Sequence, residues 1–159
     1  MNKGLLLVAA LAAWSSVFAA DLPFFRSGRI LRAEFSRIKP QGFKRLALGG
    51  APSRPVYAAV TVKLDRGRKI GIFDYSLEVD GETRVCAAVR DDGENEFSLS
   101  ADGGDKRRCT LFFELTSVPA NKKAFLVCNA PGGGRIAVTF VDRGSQRFTP
   151  DTKIPDPGK

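Results

Sequence analysis

The chain has 159 residues, a formal net charge of +8, three cysteines and no histidine. This length suits a single domain with its own core. The absence of histidine excludes a thiol–histidine nucleophile and histidine-ligated metal sites. No pair of cysteines has C-x-x-C spacing, so neither a thioredoxin-like redox motif nor a zinc knuckle is predicted. No cofactor motif is present, and we predict no bound cofactor.

The first nineteen residues, MNKGLLLVAALAAWSSVFA, are typical of a signal peptide. Lys3 supplies the positive start, and the apolar run 5–14 is too short to span a bilayer. Val17 and Ala19 fit the small-residue pattern that precedes a cleavage site. We therefore expect a secreted or periplasmic protein that begins at Ala20 or Asp21, with no membrane span in the mature chain.

Charge is distributed unevenly along the mature chain. Residues 21–69 hold 12 basic and 3 acidic residues, a net charge of +9, whereas residues 70–159 hold 12 basic and 14 acidic residues, a net charge of −2. A basic segment attracts nucleic acid, anionic lipid head groups or acidic glycans. The candidate polyanion-binding residues are Arg29, Arg32, Arg37, Lys44, Arg45 and Arg54.

A solvated surface with a positive bias is the alternative interpretation of the same segment. Strand alternation gives Arg29 and Arg37 the same parity and Arg32 the opposite one. We therefore expect scattered charges and only weak, salt-sensitive contact with polyanions.

The segment SGRILRAEFSRIKP, residues 27–40, fits two structures. Leu31, Ala33 and Phe35 alternate as in a strand, while Leu31, Phe35 and Ile38 also fit a helix that ends before Pro40. We favour the strand because the segments that follow are β-like.

Two stretches then give strong strand signals. Residues 55–64, PVYAAVTVKL, alternate to form a largely apolar face. Residues 73–89, FDYSLEVDGETRVCAAV, contain Asp80-Gly81 between two alternating runs, which predicts a hairpin because glycine tolerates the positive φ of a tight turn. Phe73, Tyr75, Leu77 and Val79 are assigned to one face before the turn, and Val85, Ala87 and Val89 to one face after it. This assignment places Cys86 on the opposite face from Val89.

Further strands are predicted in the second half of the chain. Residues 91–108 form a polar connection with a short strand at 97–99, and CTLFFEL, which begins at Cys109, points Cys109 to the core. AFLVCNA and RIAVTFV are strands separated by a PGGG turn, and VPANKK is another turn. The tail 146–159 has three prolines and few apolar residues, so we expect it to be extended or mobile.

Strands every 10 to 15 residues, joined by tight turns, predict an all-β fold, with a two-sheet antiparallel sandwich over residues 20–145. The order VYAAVTVKLDRGRK, FDYSLEVDGETRV, CTLFFELTSVPANKKAFLVC and IAVTFV resembles the small exported immunoglobulin-like domains of unknown function grouped with an immunoprotective extracellular antigen. The resemblance covers residues 28–142. It implies an immunoglobulin-like fold and an exported location, and it carries over no functional residue.

An oxidising compartment would allow the cysteines to pair. We expect Cys109 to be a small buried side chain. Cys86 and Cys128 each lie opposite the more apolar face of their strand, and we predict a disulfide between them if the two strands are neighbours. A Cys109–Cys128 bond and three free thiols are the alternatives.

The acidic residues of segment 91–105 do not have the spacing of an EF-hand, and we predict no metal site. The leading hypothesis is an exported, non-enzymatic binding or structural module at the cell envelope, whose partner is an envelope protein or an extracellular ligand. One alternative is an envelope hydrolase that uses carboxylates or a Ser/Lys pair. The other is a weak polyanion-binding protein that uses the basic segment 26–69.

Overall fold

The computed structural model describes residues 28–154. The predicted signal peptide and its cleavage site lie outside the described residues. The described chain is all-β, as predicted, with two single 3₁₀ turns at Ala120–Lys122 and Asp151–Lys153. The strands are β1 Gly28–Ser36, β2 Val56–Leu64, β3 Ile70–Gly71, β4 Tyr75–Val79, β5 Glu82–Asp91, β6 Ser100–Ala101, β7 Arg108–Leu115, β8 Lys123–Cys128, β9 Arg135–Thr139 and β10 Val141–Asp142.

Eight strands form one continuous hydrogen-bonded series in the order β10, β1, β2, β7, β5, β4, β8, β9, while β3 pairs with β6. The first part of β5, residues 82–85, pairs with β4, and residues 86–91 pair with β7. β9 pairs with β8, whereas β10 pairs in parallel with β1, so the series returns almost to its start. The arrangement therefore differs from two separately bonded antiparallel sheets, because β5 belongs to both halves.

The main core lies between the inner faces of the two halves of this series. Val60 and Leu111 from the β1–β2–β7 half and Leu77 and Leu126 from the β4–β8 half are all almost fully buried. Where the ends of the series meet, the rings of Phe35 and Phe140 stack with centroids 4.1 Å apart. Burial of this apolar surface is the main driving force for the fold.

A second apolar cluster covers the outer face of the β1–β2–β7–β5 half. Phe112 of β7 is its centre, and the long loop 37–54, the segment 93–98 and the C-terminal tail contribute Phe43, Phe97 and Phe148. These rings pack edge-on or tilted against Phe112 or one another, as aromatic pairs prefer.

The C-terminal tail is part of the fold as far as Ile154, which corrects the expectation that the domain ends at residue 145. Thr149 donates a backbone hydrogen bond to Glu34, and Ile154 is buried. Residues 146–154 form an irregular strap, and the side chains of Phe148 and Ile154 pack it against the sheet.

The hairpin prediction is confirmed. Asp80 and Gly81 have φ values of +48° and +81°, so both residues of the turn adopt the left-handed conformation of a type I′ hairpin. The choice of strand over helix for segment 27–40 is also confirmed, since β1 covers Gly28–Ser36 of this segment.

Two β-bulges change which side chains face the core. Between β5 and β7, Cys86 lies opposite Phe113 and Ala88 opposite Phe112, so Ala87 is an extra residue in β5. Cys86 and Val89 therefore both face the main core, and the prediction that they lie on opposite faces is wrong. Phe73 does not share the buried face of Tyr75, Leu77 and Val79 as expected, because it precedes β4 and is 75% exposed.

Candidate functional site: a basic corner beside an open seam

The six candidate polyanion-binding residues do not form one patch. Arg29 and Arg32 lie in the first half of β1, whereas Arg37 follows the end of this strand, about 25 Å from Arg29 at roughly 3.3 Å per residue. Lys44 and Arg54 are exposed in the loop that returns to β2. Arg45 contacts the buried carboxylate of Glu114 at 2.6 Å, so it is engaged in the fold.

A bulge nevertheless brings the first two of these residues to the same face. Arg29 lies opposite Lys63 and Arg32 opposite Thr61, which places Leu31 as the extra residue of β1. Since Lys63 and Thr61 share one face of β2, Arg29 and Arg32 share that face too. The prediction that Arg29 and Arg32 lie on opposite faces of β1 is therefore wrong.

Loops add further basic residues around Arg29. The turn after β2 carries three exposed basic residues, and the Leu64 N–H donates to the carbonyl of Arg107 at 2.6 Å, which places the turn before β7 alongside. Gly28 lies against the backbone of Lys63 so closely that a Cβ would collide with it. We call this group the basic corner, and it consists of Arg29, Lys63, Arg66, Arg68, Lys69 and Arg107.

Arg107 is not among the six predicted residues, because it lies in the part of the chain with a net negative charge. The run Lys106–Arg107–Arg108 is the sequence signal that points to it. Acidic residues also lie at this end of the molecule: Asp65 is in the turn after β2, and Asp102 and Asp105 are in the turn before β7. Asp92 contacts Lys106 and Arg108. The six residues of the basic corner leave an excess of positive charge over the three exposed carboxylates in these two turns.

The C-terminal strap is held by a charged network next to this corner. The Arg108 side chain is only 6% exposed and donates to the carbonyls of Asp151 at 2.7 Å and Ile154 at 3.3 Å, while its Nε lies 3.3 Å from Asp92. Burial and the neighbouring carboxyl of Asp151 raise the pKa of Asp92, and the Arg108 charge opposes this rise. The network fixes the strap to the sheet.

The carboxyl groups of Asp92 and Asp151 are neighbours in this network. The cavity lined by Asp151 and Arg90 has a volume of about 20 Å³, which is room for one water molecule. A glycan cannot enter a space of this size, so this cavity is not a glycan-binding cleft.

An open seam lies between β1 and β9. Residues 29–33 of β1 pair with β2, β10 joins β1 only at Glu34 and Phe35, and β9 pairs with β8. The facing edges of β1 and β9 thus flank a groove of about 360 Å³, within the range of about 300–1,000 Å³ that is usual for ligand clefts. The groove is lined by Arg29, Ile30, Leu31, Arg32, Ala33, Ile136, Ala137, Val138 and Thr139.

The cysteines are unbonded in the structure. Cys128 lies opposite Tyr75 in β4, and β4 also pairs with β5, so it separates the strands of Cys86 and Cys128. Two strand spacings put the two Cα atoms about 10 Å apart, beyond disulfide range. The neighbouring strands that the predicted bond required are therefore not found.

Two of the three thiols, those of Cys86 and Cys109, are poor nucleophiles. Burial raises the pKa of Cys86 to about 12, and burial together with Asp91 raises the pKa of Cys109 as well. The prediction that Cys109 faces the core is confirmed.

Within residues 28–154, no group of three or more His, Cys, Asp and Glu side chains is placed to hold a metal ion. No helix in this part of the chain has the length and apolarity needed to cross a membrane. Comparison with protein-family models, curated proteins and solved structures finds no match for this chain.

Proposed function

We propose that the protein is an exported, non-enzymatic binding module that contacts an anionic partner at the cell envelope through its basic corner. The observation that carries this proposal is the convergence of charges from β1, the turn after β2 and the turn before β7. Arg29, Arg66, Arg68, Lys69 and Arg107 are exposed, and none forms an ion pair with another residue of the described chain.

A local excess of positive charge attracts counterions and anionic ligands over a range of about 8–10 Å at physiological ionic strength. Lysine and arginine side chains that protrude from turns reach a partner without disturbing the core. The electrostatic field of the basic corner is therefore accessible to a partner. Arg45 and Arg108 differ, because each forms an ion pair with a carboxylate inside the fold.

Binding of the mature protein to immobilised heparin, measured over a range of salt concentrations, tests the proposal. Replacing three residues of the corner (Arg66→Gln, Arg68→Gln, Lys69→Gln) should lower the salt concentration of elution and flatten the salt dependence, because fewer counterions are released. A matched variant at the opposite end of the sheet removes the same charge from three exposed residues: Arg37→Gln, Lys39→Gln and Arg54→Gln.

The matched variant should elute close to the unmodified protein. Equal shifts for the two triple variants would show that net charge alone causes retention, and the basic corner would be rejected as a site.

We also propose that the chain is exported after cleavage at Ala19. The signal-like residues 1–19 support this location. The intact mass of the protein recovered from the periplasm or medium should correspond to a chain that begins at Ala20 or Asp21. A mass that includes Met1 would contradict export by this route.

We infer an immunoglobulin-like sandwich related to the exported domains named above. The antiparallel pairing of most strands and the core between two half-sheets support this classification. The continuous order through β5 and the parallel β1–β10 pair are departures from the usual two-sheet arrangement. An experimental structure with relatives of this kind superimposed on it tests the classification.

A further inference from the structure

The seam between β1 and β9 is the place where the closure of the fold is incomplete. At one end of the seam, Glu34 lies opposite Val141 and the Phe35 and Phe140 rings stack, so the two strands are joined. At the other end, β1 begins at Gly28 and no described strand lies between β1 and β9. The groove is therefore a wedge that widens toward the basic corner.

The floor of the wedge is apolar. Ala33 and Val138 are buried, while Ile30 and Ile136 pack against the main core but remain half-exposed. An added strand would cover these two isoleucines and extend the core across the seam.

The walls of the wedge are strand edges. In each strand, backbone N–H and C=O groups alternate in direction, so the sides of β1 and β9 that face the seam present donors and acceptors to an incoming chain. An exposed edge of this kind is a template for pairing with another strand.

The positive charge of the groove lining favours an acidic segment as the added strand. Arg29 and Arg32 line the groove, no acidic residue does, and the other charges of the basic corner lie beyond its wide end. Arg32 contacts Glu34 at 2.5 Å, which leaves Arg29 as the free guanidinium. A second copy of the mature chain, whose segment charges of +9 and −2 sum to +7, is repelled from such a site.

We propose that an extended acidic segment of a partner protein adds as a β-strand in the groove between β1 and β9. Its backbone pairs with the two edges, every second side chain is apolar and covers Ile30 and Ile136, and the alternate carboxylates meet Arg29 and the basic corner. This inference rests on the proposed anionic partner and specifies its form.

Three peptides test strand addition with the mature protein. The first is a heptapeptide of alternating Glu and Val with blocked ends, and the second has the same composition in two blocks. The third repeats the alternating order with N-methyl groups on alternate amides, which removes the donors of one edge. Affinity is measured by calorimetry, and hydrogen exchange of residues 29–33 and 135–139 is followed in each complex.

The alternating peptide should bind about tenfold or more tightly than the other two peptides, a difference of about 1.4 kcal/mol, and should slow exchange at both edges. Ile136→Lys and Arg29→Glu should each weaken its binding by about tenfold. Arg37→Glu makes the same charge change at the far end of β1 and should have little effect. If Ile136→Lys fails to fold, the peptide comparison and the exposed Arg29 still decide the matter.

Other results identify which idea fails. Equal binding of the block peptide, with no slowed exchange, overturns strand addition and leaves the basic corner standing. Slowed exchange at both edges together with a negative heparin result overturns the basic corner instead.

Hydrogen exchange and sedimentation of the protein without peptide distinguish two other possible occupants of the groove. If both edges are already protected and exchange faster after Phe24→Ser with Phe25→Ser, segment 20–27 of the chain itself fills the groove. If sedimentation finds a dimer with protected edges, a second copy fills it. Either result overturns the proposed partner.

Discussion

Replacing Arg108 by methionine should destabilise the protein strongly, because this residue joins the strap to the sheet. Methionine keeps much of the apolar stem and removes the charge and its donors. The change breaks hydrogen bonds to the carbonyls of Asp151 and Ile154 and leaves Asp92 with Lys106 at 4.0 Å as its remaining basic neighbour.

The magnitude follows from burial. The side chains of Arg108 and Asp92 are each 6% exposed, and removal of one partner from a buried pair costs about 3–5 kcal/mol. Two charge-assisted hydrogen bonds at about 1.5–3 kcal/mol each lead to a similar figure, with the 3.3 Å bond to Ile154 at the weak end. We expect a loss of about 3–5 kcal/mol at pH 7.

Urea unfolding measures the loss of stability. Far-ultraviolet circular dichroism is the probe rather than tryptophan fluorescence, because the chain has no tryptophan after Trp14. Adding Asp92→Asn to Arg108→Met should recover part of the lost stability, because the buried carboxylate that has lost its arginine partner is then absent. The cost of Arg108→Met should also be smaller at pH 5, where Asp92 takes up a proton more readily. A loss below about 1 kcal/mol, or strictly additive effects of the two changes, would refute this account.

Three more predictions concern titration, thiols and the core. Asp92 has a raised pKa in the folded state, so its contribution to the free energy of unfolding is most favourable at low pH and is lost as the pH rises from the ordinary value of 3.8 through the folded pKa. The stability of Asp92→Asn relative to the unmodified protein, measured by urea titration, should therefore increase over this pH range. A decrease would contradict the prediction. Ellman titration of the protein in denaturant should find three thiols. In the folded protein, Cys86 and Cys109 should react slowly because they are buried. A single thiol would show that a disulfide forms between strands that are not neighbours in the sheet. Phe35→Ala removes a fully buried ring stacked on Phe140 and should cost about 3–5 kcal/mol in the same unfolding assay, and a cost under about 1 kcal/mol would show that the stacked pair is not packed in solution.

The strands and the hairpin turn were predictable from the sequence because their signals are local. Alternation with period two in residues 55–64 requires no knowledge of the partner strand. Asp80-Gly81 specifies its turn through the backbone freedom of two adjacent residues. The core position of Cys109 followed from the same alternation, since β7 has no bulge in its pairing with β2.

The faces of β1 and β5 depended on tertiary structure. The extra residues Leu31 and Ala87 exist only relative to a neighbouring strand, so alternation within a single strand cannot reveal them. Each bulge reverses the parity of the side chains beyond it. That reversal brings Arg29 to the face of Arg32 and turns Cys86 toward the core.

By itself, the sequence determined the all-β class, the positions of the longer strands and the excess of basic residues before residue 70, whereas the short strand predicted at 97–99 lies instead at Ser100–Ala101. Tertiary structure decided which of those charges meet, because Arg107 reaches the basic corner only through the pairing of β2 with β7 across more than forty residues of chain. It also decided the strap, since the apolar side chains of the tail gain burial only once Phe112 and its neighbours form a surface. The seam has the same origin, because the edges of β1 and β9 are open only with respect to the other strands within residues 28–154.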